Sequence, residues 1–279
     1  MDFLITVNEL KEKQRNGENL ILVDVRYNLT DPKAGKEAYL ASHIPGAVYL
    51  DLKKDLSGKS GKHGGTHPLP EREKLAEKLG ELGIEQETLV VIYGEGNDMF
   101  TARCLWLFQY LGHEKVWILE GGLSKCVEEG HDVTSEIPNY PPKKFVPAPS
   151  KHDTADMLEV KQKMKEESAI LIDSRARERY LGATEPLYGK AGHIPGAKNY
   201  FWKNVLDDKG NWKSNQAIEQ HFKDLPKDAE IIVSCGSGVS ACPNVLALKQ
   251  AGYNNVKLYP GSFSDWISYE ENPVETGEE

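Results

Sequence analysis

Leu20–Arg26 reads LILVDVR and Ala169–Arg175 reads AILIDSR, with the two Asp-x-Arg ends 149 residues apart. Their likeness decides the fold, because further landmarks follow in the same order. His43–Ala47 and His193–Ala197 both read HIPGA, 150 residues apart. Gly112 matches Gly252 and Gly121 matches Gly261, each pair 140 residues apart. Four landmarks in one order at nearly constant spacing imply an internal repeat, one architecture used twice.

Each copy alternates apolar β-branched runs with helical patterns. In the second copy the pattern predicts a helix over 154–167, with Met157, Leu158, Val160 and Met164 on one face. Strands follow at 169–174, 230–235 and 256–259, with a helix from about Val239 to Gln250 and Gly252 as its C-terminal cap. The first copy repeats this as a strand over 89–93, a helix over 99–111 and a strand over 115–119. Apolar strands separated by helices indicate parallel sheets covered on both faces. The fold class is therefore α/β, in two domains of similar topology. A chain of 279 residues suits two domains at roughly 100–200 residues each. Between the copies, 137–152 reads IPNYPPKKFVPAPSKH and holds five of the 15 prolines. Proline disfavours helix at the residue before it, so this segment is expected to run extended. Tyr140, Phe145 and Val146 could fasten it as a belt across both domains. The expected boundaries are 1–137, a linker at 138–152, and 153–279.

Composition narrows the function classes. Net charge is −9, with 16 Lys and Arg against 23 Asp and Glu up to Ile137, and 18 against 20 after it. No basic cluster of nucleic-acid type occurs, so nucleic acid and anionic membrane are poor partners. The nearly neutral second part is the better holder of a small anion. No run approaches the ~18 apolar residues of a membrane span. The start, MDFLITVNEL, lacks a basic region ahead of an apolar stretch, which argues against a secretory signal. Four cysteines, Cys104, Cys126, Cys235 and Cys242, are too few for a disulfide scaffold and point to a reducing cytoplasm.

The chemistry concentrates in Glu230–Leu248, EIIVSCGSGVSACPNVLAL. A buried-looking strand ends at Cys235, a loop with Gly236 and Gly238 follows, and a helix begins. Open α/β sheets bind ligands beyond the carboxyl ends of their strands. Backbone N–H groups of such a loop and helix start can form an anion nest. A thiol there is expected to ionise readily and to be accessible, a nucleophile rather than a packed residue. Cys-based phosphatases share the arrangement, but they need an arginine six positions on, where this chain has Ala241. Cys104 falls inside a helical pattern and Cys126 near the domain end, as packing residues do. Cys242 is either a small packed residue or a partner that traps oxidised Cys235 as a disulfide.

The sequence resembles the tandem-domain rhodanese family of sulfurtransferases over nearly its whole length. Tyr39–Leu50, YLASHIPGAVYL, fits the family's N-terminal signature, and Val256–Trp266, VKLYPGSFSDW, its C-terminal one, with Asp265 where Glu is usual. The resemblance implies two rhodanese-like domains, only the second catalytic. It implies a double displacement through a persulfide on Cys235, with no metal or organic cofactor. No zinc-type Cys/His spacing occurs in the chain.

The loop CGSGVS resembles that of the family's mercaptopyruvate members, whereas thiosulfate members carry two basic residues where this chain has Gly236 and Ser237. The resemblance puts Gly236, Gly238, Val239 and Ser240 around the donor and Arg179 at its anionic end. Arg177 reads as solvated, and Arg175 as a structural ion pair like Arg26 in the first copy. A second substrate arginine found in relatives is replaced by Leu187 or Tyr188, with Lys190 as a possible substitute. In some relatives a Ser, a His and an Asp form a proton relay. Ser237 and His67 match the first two, while Lys53 stands nearest the third, with Asp51 and Asp55 beside it. His43 and His193 are expected to satisfy backbone groups in their turns. The expected activity is sulfur transfer from 3-mercaptopyruvate, or from thiosulfate, to a small thiol, a thioredoxin-like protein or cyanide. A persulfide carrier without small-molecule turnover is the alternative.

Overall fold

The computed structural model describes residues 3–148 and 153–278. In the first half the chain runs β1 (Leu4–Ile5), α1 (Val7–Arg15), β2 (Leu20–Asp24), α2 (Ala34–Ala41), β3 (Ala47–Tyr49), α3 (Arg72–Glu81), β4 (Leu89–Tyr93), α4 (Met99–Tyr110), β5 (Val116–Leu119) and α5 (Gly122–Glu128). All strand pairs are parallel, in the order β1-β5-β4-β2-β3. In the second half come α6 (Met157–Lys165), β6 (Ile170–Asp173), α7 (Arg177–Tyr180), β7 (Ala197–Asn199), a 3-10 turn (Trp202–Val205), α8 (Asn215–His221), β8 (Ile231–Ser234), α9 (Cys242–Gln250), β9 (Val256–Leu258) and α10 (Ser262–Trp266). Their order β7-β6-β8-β9 is again parallel and repeats β3-β2-β4-β5. The missing counterpart of β1 survives as a single parallel bridge between Thr154 and Leu258.

Local signals start the helices where the chain needs them. Thr6 and Glu9 close a reciprocal capping box on α1, and Asp98 and Asp156 cap α4 and α6 through their carboxylates. The helix expected over 154–167 is shorter, because Asp156 ends the extended lead-in. Met157 and Val160 are buried in it, but Leu158 is 69% exposed, one step round the 3.6-residue turn from the core.

Helices α4 and α9 join the halves. Phe100 through Phe108 of α4 and Cys242 through Leu248 of α9 are buried on every side. A helix buried all round needs cover all round, and each of these packs on its own sheet and on the other helix. Leu105, Trp106, Val245 and Leu246 therefore belong to one core that spans both halves. The carboxyl ends of β6 and β8 open toward this junction.

The proline-rich segment binds the first half in its described part. Tyr140 Oη donates to Gly46 O at 2.8 Å, Lys143 N to Gly80 O at 2.8 Å and Ala148 N to Leu111 O at 2.9 Å. Phe145 is buried, but Val146 is 55% exposed and fastens nothing. Residues 149–152 lie outside the described residues, so the expected belt onto the second half is not part of this description.

Candidate active site

Cys235 follows β8 directly, and the loop behind it curls before α9 begins. The sequence pattern starts that helix at about Val239; it starts at Cys242. Gly238 is the reason. It has φ +76°, and a Cβ there would lie 2.3 Å from Pro260 O, so only glycine fits. This turn aims Gly238 N–H at Cys235 Sγ, 3.1 Å away. Pro243 then sits in the first helical turn, where no N–H is required. The backbone N–H groups of Gly236, Ser237, Val239 and Ser240 donate to no acceptor among the described residues. They are available to an incoming anion.

The loop is clamped from α10. Cys235 N–H donates to Ser262 Oγ at 3.0 Å, Phe263 N–H to Cys235 O at 3.0 Å and Ser264 N–H to Gly236 O at 2.9 Å. Ser262 has φ +53°, a strained value for a residue with a side chain. Sequence reasoning missed Ser262, although its position in the PGSFSDW signature was a signal. Cys235 itself is 1% exposed, which corrects the expectation of an accessible thiol. Its loop neighbours Gly236, Ser237, Val239 and Ser240 line the cleft.

That cleft holds about 560 Å³, within the usual ~300–1,000 Å³ of small-molecule sites. Gly236, Ser237, Val239 and Ser240 meet His67 and Lys53 of the first half there. Tyr27, Phe201 and Trp202, which sequence reasoning did not assign, join Tyr188 in an aromatic wall. Ser237 Oγ lies 2.9 Å from His67 Nδ1, across 170 residues of sequence. Burial, then the positive charges of Arg103 and Lys53, push the His67 pKa down to about 4, so the imidazole is neutral.

Neither acid beside Lys53 serves as the third relay member. Asp51 accepts from the N–H groups of Lys53 and Lys54, and Asp55 from Asp51 N–H, because the chain turns tightly there. Neither carboxylate touches His67. His67 is instead carried by an arm, 58–68, docked on α10. Gly64 N–H donates to Asp265 Oδ1 at 2.6 Å and Thr66 N–H to Ser264 Oγ at 3.2 Å. Asp265 also takes the Tyr259 hydroxyl at 2.7 Å.

Arg179 lines the cleft as expected but is not free. Its guanidinium meets Glu185 at 2.8, 3.0 and 3.2 Å. Glu185 in turn reaches Arg175 at 3.2 Å, and Arg175 pairs with buried Asp173 at 2.5 Å. The four charges cancel. Arg175 is the structural ion pair that was expected, and Arg26 pairs likewise with Asp24 at 2.8 Å. Arg177 is exposed and pairs with Glu278. Lys190 is exposed and does not line the cleft, so it does not replace the second arginine. Tyr188 stands there, its hydroxyl 2.9 Å from where a Cβ on Gly236 would be. His43 Nδ1 meets Tyr39 O at 2.6 Å, and His193 Nδ1 meets Tyr180 O at 2.8 Å, the backbone role expected of both.

The other thiols are packed. Burial pushes the Cys242 pKa up to about 12, and its Sγ donates to Gly238 O at 3.4 Å. Peptide mapping without reductant after mild peroxide is accordingly expected to show no Cys235–Cys242 crosslink; a crosslink would make Cys242 a redox partner. Among the described residues no group of three or more His, Cys, Asp or Glu is placed to hold a metal ion, and no helix is long and apolar enough to cross a membrane.

Comparison with known proteins agrees with this fold. The family model described as Rhodanese-like domain matches residues 6–129 and 156–269. A probable 3-mercaptopyruvate sulfurtransferase of Pseudomonas aeruginosa is 36% identical over 281 residues, covering 99% of this chain and 98% of that one. The sulfur carrier protein TtuD of Thermus thermophilus is 34% identical over 86% of this chain and 88% of its own. Among solved structures, SseA from Escherichia coli, described with the 3-mercaptopyruvate sulfotransferases, superposes with a TM-score of 0.83 at 31% identity, over 95% of this chain and all of that one. One match in each half, on two sheets that share a four-strand order, makes the chain a tandem member of the rhodanese-like domain family.

Proposed function

We propose that this protein is a sulfurtransferase that takes sulfur from 3-mercaptopyruvate onto Cys235 and hands it to a thiol. The observation that carries the reading is the Cys235 loop. A backbone N–H meets Sγ at 3.1 Å, and neither Gly236 nor Ser237 brings a basic side chain. The Cys235 thiolate attacks the donor sulfur, and the carbon–sulfur bond breaks. Its electron pair leaves on the enolate of pyruvate, which takes up a proton, and Cys235 becomes a persulfide. An acceptor thiolate then attacks the outer sulfur, the sulfur–sulfur bond breaks, and the Cys235 thiolate returns. The unpaired loop N–H groups suit each anionic species in turn. Neutral His67 can lend Nδ1–H to Ser237 Oγ, which leaves the Ser237 hydroxyl hydrogen for the keto acid or the forming enolate.

Charge supports the donor. Asp173, Arg175, Glu185 and Arg179 cancel, and His67 is neutral, so Lys53 is the uncompensated cation on the cleft wall. Such a wall favours a monoanionic keto acid over compact dianionic thiosulfate. The acceptor is a small thiol or a thioredoxin-like protein, and four free cysteines fit the reducing cytoplasm. The likeness to TtuD favours one second reading, a carrier that passes persulfide between proteins.

Steady-state kinetics with both donors side by side test the proposal. The expected result is a kcat/KM at least about tenfold higher for 3-mercaptopyruvate, roughly 1.4 kcal/mol of transition-state preference. Preference for thiosulfate overturns the donor. Stoichiometric loading of Cys235 with negligible turnover makes the protein a carrier.

A further inference from the structure

Arg103 stands out among the charged side chains. It projects from α4 of the first half into the junction with α9 and is fully buried. The other large buried arginines, Arg26 and Arg175, each hold an aspartate. Arg103 holds no carboxylate among the described residues. Its Nη1 donates to Gly238 O at 3.2 Å, and its Nη2 points to Leu56 O and His67 O, each at 3.4 Å. Its Nε has no partner. A buried cation without an anion is unfavourable unless another state of the protein supplies the anion. The ionisable acidic groups nearest it are three thiols, Cys242, Cys235 and Cys104.

Two of those thiols stay protonated. Burial pushes Cys242 up to about 12 and raises Cys104 well above the ordinary thiol range. At Cys235 the sulfur accepts the Gly238 N–H at 3.1 Å. Arg103 also grips the carbonyl of Gly238, which belongs to the same peptide unit as the Val239 N–H. Pulling on that carbonyl polarises this N–H, one of the loop donors with no acceptor in the protein. Through Gly238 O and His67 O together, Arg103 also holds both sides of the Ser237–His67 contact.

We propose that Arg103 is a positioning residue of the first half that supplies the counter-charge for the sulfur anion at Cys235 and fixes the loop that carries it. It touches neither donor nor reacting sulfur. The proposal rests on Cys235 being the sulfur-carrying nucleophile. The other titratable or charged groups facing this region are His67, Lys53 and Asp55 from the first half's loops, Cys104 from α4, Cys242 from α9 and Arg175 after β6. None is an anion able to replace Cys235 as the partner. His67 is neutral, Arg175 has Asp173, and Asp55 is itself pushed toward its protonated form by burial.

The test uses the full chain with Arg103→Met, Arg103→Gln and Arg103→Lys. The rate of Cys235 alkylation by iodoacetamide is followed against pH, beside melting temperature and persulfide formation from 3-mercaptopyruvate. Arg103→Met and Arg103→Gln are expected to move the alkylation profile up by about one pH unit or more and to slow persulfide formation about tenfold. Arg103→Lys is expected to return the profile to within about half a unit, since the charge is kept, while kcat stays several-fold low because the three-way grip is lost. A purely structural arginine would lower the melting temperature and leave the profile where it was, which overturns the proposal. If the neutral variants do not fold, Arg103→Lys decides alone, and a profile shifted by a full unit in it overturns the counter-charge. Failure of the native protein to load sulfur on Cys235 would instead refute the function proposed above.

Discussion

Cys235→Ser is expected to abolish turnover and to leave the protein without a sulfur adduct after donor treatment, as read by intact mass. Cys104→Ser, Cys126→Ser and Cys242→Ser are expected to keep both. The contrast follows from where the four thiols sit. Cys126 is pushed up to about 11 and Cys242 to about 12 by burial, and Cys104 is raised further still. A thiol with a pKa of 12 is ionised at pH 8 to about one part in 10⁴, too little to compete as a nucleophile. Cys235 has what the others lack, a backbone N–H at 3.1 Å and a loop of unpaired donors between it and the cleft. Serine is nearly the same size, so the variant is expected to fold, and an unchanged melting temperature checks this. An adduct that persists on Cys235→Ser would sink the assignment.

Arg179→Ala is expected to raise the KM for 3-mercaptopyruvate roughly thirtyfold, while Arg177→Ala leaves it unchanged. A charge-assisted hydrogen bond contributes about 1.5–3 kcal/mol. Two observations favour the lower part of that range, about 2 kcal/mol. Arg179 is one-fifth exposed, and its charge is already balanced by Glu185. A donor carboxylate must share the guanidinium with Glu185 or displace it. Tyr188, whose ring lies 5.5 Å from the guanidinium, forms the other side of that subsite. Arg177 is on the surface, paired with Glu278, and does not line the cleft. Equal kinetics in the two variants would return Arg179 to a structural role with Glu185.

By itself the sequence determined the α/β class, the repeated topology and the place of Cys235 at a strand end, because these depend on local rules. Alternating apolar runs select strands and helices, and matched landmarks such as Asp24–Arg26 and Asp173–Arg175 announce a second copy. The glycine-bearing loop was legible too, since Gly238 serves a turn only glycine can make. What lay beyond the sequence depends on side chains that meet through space. The Ser237–His67 pair was reached only through the family resemblance, because the two stand 170 residues apart and no local rule sets their distance or keeps that imidazole neutral. Glu185 stands six residues from Arg179, yet its claim on that arginine arises only because Arg175 folds back to share it. No local pattern in the sequence singles out Arg103. Burial of α4 against α9 strips its water and sets it beneath the Cys235 loop, and only that packing turns an ordinary arginine into the counter-charge inferred here.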